Sequence, residues 1–143
     1  MDLSKEFGID DDLAESGRWF KVDDDGTELL IAAIPNRAYD RFLELPRRRA
    51  QEIGKSVPQA TYEEALARTV LLDWKNLSYE SAPLASSEAN RLSMLRKFWR
   101  FRDQVMTFAR ENKNFQRQAD EDEEKNSLNG ANGSSGLPQS YRI

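Results

Sequence analysis

The chain contains no cysteine and no histidine. Without cysteine there is no disulfide, no thiolate nucleophile and no sulfur-bound zinc. Without histidine the commonest general base and the commonest metal ligand are both missing. Only carboxylates, lysines, tyrosines and hydroxyls are left for acid–base work, and no constellation of them stands out. The expectation is a protein that is not an enzyme and that uses neither metal nor cofactor. Long apolar runs are missing as well. The longest spans Leu29 to Ile34, far short of the ~20 residues a membrane-spanning helix needs. The opening MDLSKEFGIDDD is acidic and has no apolar leader core. Nor is there a basic excess. Lysine and arginine number 21 against 25 acids, a formal charge of −4, which argues against general nucleic-acid affinity.

What is present suits one polar globular domain. The 143 residues are 38% hydrophobic and 32% charged, enough for a modest core. The pattern divides the chain into an N-terminal arm at 1–16, a β-hairpin plus helical domain at 17–125, and a tail at 126–143. The fold class expected is mainly α, a small helical domain with an N-terminal β-hairpin and a disordered C-terminal tail. Trp19, Phe20 and Val22, then Leu29 to Ile34, favour strand. Asp25-Gly26 between them is a hairpin turn signal. The acids Asp23 to Asp25 before Gly26 fail calcium-loop spacing, because Lys21 and Ala32 stand where carboxylates are required.

Asn36 is placed to cap a helix bearing Ala38, Phe42 and Leu45, which Pro46 interrupts. Thr61 and Glu64 have capping-box spacing. Tyr62, Ala65, Leu66, Thr69, Val70 and Trp74 then recur at helical steps, predicting a central helix from 61 to about 75. The stretch from Ser78 to Ser86 reads as a loop. Ser86 or Ser87 caps a third helix through Leu95. From Lys97 a long helix is expected to run to about Glu124, with Phe98, Phe101, Val105, Phe108, Asn112 and Phe115 on one stripe. The end, from Asn126, is rich in Asn, Gly and Ser and cannot bury enough surface to order itself.

Two groups of residues are candidates for binding. The aromatic stripe suits core packing first, and a partner helix second. Arg47, Arg48 and Arg49, with Arg37, Arg41 and Lys55 nearby, and a second set around Arg96 to Arg102, could grip phosphate. A solvated face balancing the acids is the favoured reading of both sets. The Trp19–Ile34 hairpin could also pair with another copy, giving an oligomer.

GRWFKVDDDGTELLIAAIPN, then RAYDRFLEL, EALARTVLLDWKNL and RDQVMTFARENKNFQRQADEDEEKNS together resemble the tail assembly chaperones of long-tailed, non-contractile bacteriophages. The resemblance covers about residues 17 to 127. Its strongest marks are Val70 to Asn76 and Asn114-Phe115 before the acidic end. It implies a non-enzymatic factor of the host cytoplasm that binds the tape measure protein and keeps it soluble while the tail tube assembles. In such proteins a frameshifted longer form often carries a second domain for tail tube subunits. The contact residues expected are Trp74, Phe98, Phe101, Val105, Phe108 and Phe115, with Arg47, Arg48 and Arg49 adding charge complementarity. The alternative is a phage accessory protein that binds nucleic acid or a host defence factor through the arginine clusters.

Overall fold

The computed structural model describes residues 1–117. The acidic stretch and the tail expected to be disordered lie outside the described residues. Two short helices, α1 (Leu3–Phe7) and α2 (Asp11–Ser16), form the N-terminal arm. Asp2 and Asp10 cap them, each carboxylate accepting from backbone N–H groups in the first turn. Gly17 then turns the chain at φ 81°, and a Cβ there would lie 3.0 Å from the Ile31 backbone. That position requires glycine on both counts.

The hairpin forms as the sequence predicts. β1 (Arg18–Lys21) and β2 (Glu28–Ile31) pair antiparallel, Arg18 opposite Ile31 and Lys21 opposite Glu28. The Asp23 carboxylate accepts from the Asp25 and Thr27 N–H groups, and Gly26 takes φ 89°. This loop turns on side-chain-to-backbone hydrogen bonds of the aspartate kind.

α3 (Arg37–Glu52) follows, capped by Asn36, whose side chain accepts from Tyr39 N–H. Pro46 sits inside this helix without ending it. Its missing N–H takes a hydrogen bond from the ladder, but Leu43 and Ala50 on either side are buried and hold the axis. α4 (Gln59–Thr69) starts earlier than expected, after Pro58, and no side chain caps it. The Thr61–Glu64 capping box therefore does not form.

The largest correction concerns residues 70 to 75. The central helix stops at Thr69, and Leu71–Lys75 is a strand, β3, paired antiparallel with β2. Leu29 faces Trp74, and Ile31 faces Leu71. A helical face and a strand both account for the apolar residues here. The open edge of β2 decides between them, because its N–H and C=O groups need partners beside a buried core. The sheet order is β1-β2-β3, leaving β1 as an edge.

The loop at 78–86 contains a second hairpin, β4 (Ser78–Tyr79) and β5 (Ala82–Pro83). α5 (Glu88–Lys97) is capped by Ser87, as one of the two predicted serines. The long last helix is a further correction. It is α6 (Trp99–Arg110), separated from α5 by an extended Phe98 and closed by an extended Glu111. A 3-10 turn at Asn112–Phe115 follows. The turn folds Phe115 back onto Phe108, ring centroids 6.0 Å apart, which a continuing helix would have prevented. Asn114 is buried and donates to Phe108 C=O at 2.9 Å, so the polar residue that matters is two positions past the one on the stripe.

The core lies between the sheet and the helices. Leu29, Ile31, Leu43, Val70, Leu71, Leu95, Val105 and Phe108 are almost wholly buried in it. Where β2 runs out, three successive N–H groups reach three different elements. Ala32 donates to Val70, Ala33 to Ala14 and Ile34 to Ala109. The buried Asn36 amide adds bonds to Ala33 C=O and Thr69 C=O. Replacing Asn36 by alanine removes the helix cap and strands two buried carbonyls. The expected cost is roughly 2–4 kcal/mol of unfolding free energy, read from urea denaturation.

Candidate functional site

The aromatic residues divide into two groups. Val105, Phe108 and Phe115 are sealed in the core, and Phe20 packs on Phe108 with ring centroids 4.0 Å apart. Trp74 is also buried, and its indole Nε1–H donates to Leu84 C=O at 2.8 Å. These four expected contact residues are therefore structural in the isolated chain. Helix spacing put them on one stripe with Phe98 and Phe101, but the stripe bends at Phe98 and at Glu111, so its two ends face different surroundings.

Phe98 and Phe101 behave differently. Phe101 is half-buried, whereas Phe98 is 43% and the neighbouring Trp99 61% exposed. They stand at the joint between α5 and α6. Phe98 has φ −114° and ψ 90°, so the chain leaves helical geometry there and carries both rings outward. Opposite the joint stands the β4–β5 hairpin. Between the two lies an open furrow of about 240 Å³ lined by Leu77, Tyr79, Met94, Phe98 and Phe101, with Ser78 and Glu80 at its edge. Tyr79 and Phe98 meet edge to face across it, 6.1 Å between centroids.

Backbone strain gathers at this wall. Asn76, Glu80 and Ser81 all have positive φ, at 54°, 51° and 66°. Glu80-Ser81 is the two-residue turn of the hairpin, a place where glycine or asparagine is usual. Each such residue costs on the order of 1 kcal/mol. Surrounding bonds hold the wall in place. Leu84 N–H donates to Leu77 C=O, Asn76 Nδ2 donates to Gly26 C=O, and Thr27 Oγ1 donates to Asn76 C=O.

The charges around the furrow are uneven. Arg102 donates to Glu63 at 3.0 Å, and Arg96 contacts both Glu63 and Glu64. Lys97 and Arg100 have no such carboxylate among the described residues. Lys97 lies over the Tyr79 ring at 5.3 Å, and Arg100 over the Trp99 ring at 5.2 Å. Hydrogen bonding to the Tyr79 side chain pushes the Lys97 ammonium above its ordinary value. Lys97 is therefore held at the Tyr79 side of the furrow, where Glu80 also attracts it, while Arg100 lies against Trp99.

The other arginine cluster is more nearly neutralised. Arg47 pairs with Asp40 and Arg48 with Glu44, while Arg37 and Arg41 share Glu15. Arg49 is exposed. The pairs are themselves exposed and contribute little stability, yet they cancel much of the field that a phosphate would feel. Among the described residues, no group of carboxylates is arranged to hold a metal ion, and no helix is long and apolar enough to cross a membrane. Sequence reading missed the second hairpin, which has only Pro83 and short polar residues to mark it. Trp99 falls off the helical stripe and is not among the expected contact residues.

Taken together, the fold and its furrow define a small α-rich protein with an exposed aromatic cleft. The chain belongs to a phage-derived family, described as YdaY prophage protein, whose sequence profile matches residues 34–126. No curated protein and no solved structure matches the chain. The matched span begins just after β2. It includes α3, the furrow and the Phe115 turn.

Two stability measurements separate core from surface. Trp74→Ala should lower unfolding free energy by about 3–5 kcal/mol, whereas Trp99→Ala should change it by less than about 1 kcal/mol. Urea titration followed by circular dichroism reads both. Ser81→Gly should raise stability by about 1 kcal/mol, because glycine accepts positive φ without the Cβ clash. An unchanged denaturation midpoint would show that the turn is unstrained.

Proposed function

We propose that this protein is a phage tail assembly chaperone. It binds the tape measure protein in the host cytoplasm and keeps that partner soluble while the tail tube assembles. The observation that carries this reading is the aromatic furrow at the α5–α6 joint. Phe98 and Trp99 are exposed there beside apolar walls in a chain that is otherwise strongly polar. Large rings left in water beside a cleft are what a transient apolar guest would cover. A long partner with repeated apolar helical faces would aggregate unless those faces were shielded. The negative net charge of −4 helps a coated partner stay dispersed.

Membership in a prophage family supports the setting in which such a task arises. The chemistry required is reversible burial, so the reading needs no nucleophile, proton shuttle or cofactor. Phe98, Trp99 and Phe101 make contact, and Trp74 acts indirectly by holding the furrow wall through Leu84. Val105, Phe108 and Phe115 serve the core.

Co-expression with the tape measure protein of the same phage tests the reading. The partner should move into the soluble fraction with the wild-type chain. Trp99→Ser should reduce that soluble yield several-fold while leaving the chaperone's own melting temperature in place. A partner that stays insoluble beside well-folded wild-type chain would overturn the proposal.

A further inference from the structure

The hairpin that walls the furrow is firm at its feet and weakly held at its tip. At the feet, Leu84 N–H donates to Leu77 C=O and Trp74 Nε1–H donates to Leu84 C=O. Asn76 Nδ2 donates to Gly26 C=O, and Thr27 Oγ1 donates to Asn76 C=O. Beyond the feet, β4 and β5 are two residues each, with Tyr79 opposite Ala82. Glu80 and Ser81 turn the tip at positive φ, 51° and 66°, where asparagine and glycine would sit without strain. Ser78, Glu80, Ser81, Ala82 and Pro83 are all exposed, and Tyr79 is half-buried. The tip is thus fastened to the body through one side chain. The Tyr79 ring meets Phe98 edge to face at 6.1 Å and lies under Lys97 at 5.3 Å, where Glu80 also attracts the ammonium. The furrow it walls holds about 240 Å³, and Met94 in its lining is only 7% exposed. A usual ligand cleft is larger, ~300–1,000 Å³, and a docking helix brings several apolar anchors on one face.

We infer that the β4–β5 hairpin is a flap over the furrow, pivoting at the Leu77–Leu84 foot and latched through Tyr79 against Lys97 and Phe98. It opens when the tip unpairs between Tyr79 and Ala82 and the Tyr79 ring swings away. Met94 and Phe101 are then uncovered, and the furrow deepens enough to take the anchors of an apolar helix. Closing returns those side chains to cover when no guest is present. This deepens the chaperone reading and rests on it for the identity of the guest. The strained turn suits the role. Positive φ at Glu80 and Ser81 brings the closed hairpin nearer in free energy to its unpaired form, so the tip opens without the rest of the fold. The feet stay bonded, and Trp74 keeps its place. A guest that enters only the open form has its apparent affinity scaled by the open fraction. While that fraction is small, whatever shifts flap opening shifts guest affinity by the same factor.

Two readouts on the full chain test the flap. Native-state hydrogen exchange reports opening at the Ala82 amide. Fluorescence anisotropy reports binding of a labelled, uncharged helical peptide of roughly 15 residues with leucine and phenylalanine anchors. The double variant Glu80→Asn, Ser81→Gly installs the favoured turn. It should slow Ala82 exchange about fivefold and weaken peptide binding by the same factor. Lys97→Met removes the charge from the latch and should move both readouts a few-fold the other way. Ala82 exchange as slow as that of the β2 amides overturns the flap. So does exchange that neither variant alters, peptide affinity that ignores a change in exchange, or a wild-type chain that does not bind the peptide. The absence of cysteine allows a direct lock. Glu80→Cys, Lys97→Cys offers one reactive pair to a short bifunctional maleimide. The joined chain should bind the peptide at least about tenfold more weakly than the same variant left unjoined. Equal binding overturns the flap. Mixing with the tape measure protein separates this inference from the broader reading. A joined chain that still keeps the tape measure protein soluble retains the chaperone and removes the flap. Coupled shifts in exchange and peptide affinity beside an insoluble tape measure protein do the opposite.

Discussion

The point on which the rest of this fold depends is the exit of β2. Within Ala32, Ala33 and Ile34, consecutive N–H groups donate to Val70, Ala14 and Ala109. These acceptors belong to the end of α4, to α2 and to α6. Two residues later the Asn36 amide donates to Thr69 C=O and Ala33 C=O while its oxygen caps α3. A short stretch of backbone therefore fixes the relative positions of four helices. Each bond is modest by itself. Buried donors with no water to fall back on make the arrangement close to all-or-none.

From that junction the order passes outward to the furrow. β3 lies on β2 because α4 ends at Thr69, and the strand delivers Trp74 to a buried position. The indole grips Leu84 C=O, and Leu84 N–H returns to Leu77 C=O. The β4–β5 hairpin is tied down at both feet by these contacts, so it can tolerate positive φ at Glu80 and Ser81. Rigid support on one side and a helix break on the other leave Phe98 and Trp99 in solvent. The exposed apolar surface at this joint is thus a by-product of how the core closes, and its residues are few.

Much of this was legible in the residues themselves. Strand-favouring residues on either side of Asp25-Gly26 marked the first hairpin, Asn36 and the Ser86-Ser87 pair marked two helix starts, and the absence of cysteine and histidine narrowed the chemistry. Three features were not legible, for distinct reasons. Val70 to Trp74 satisfies a helical and a strand pattern equally, and the unpaired edge of β2, a tertiary fact, chose the strand. The aromatic stripe from Phe98 to Phe115 is periodic enough for one helix, yet burying Phe115 on Phe108 required a turn at Glu111. The furrow itself arises from residues far apart in sequence, Leu77 to Glu80 and Met94 to Phe101, which no local period connects. Of the expected contact set, Phe98 and Phe101 reach that furrow, while Trp74, Val105, Phe108 and Phe115 are committed to packing.

The beginning of the chain and the turn at Asn112–Phe115 are stitched to each other: Asp10 N–H donates to Phe115 C=O, Gln116 Nε2 to Lys5 C=O and the buried Arg18 guanidinium to Asn114 C=O. Such a clasp behaves like a zip with two pulls. Peeling the N-terminal arm away takes the Lys5 acceptor and the Asp10 donor from this turn together, and Phe115 loses two of the bonds that hold its segment. Tension applied to the arm would therefore pass to the Asn112–Phe115 turn and, through Phe115, to the buried Phe108 ring it packs against.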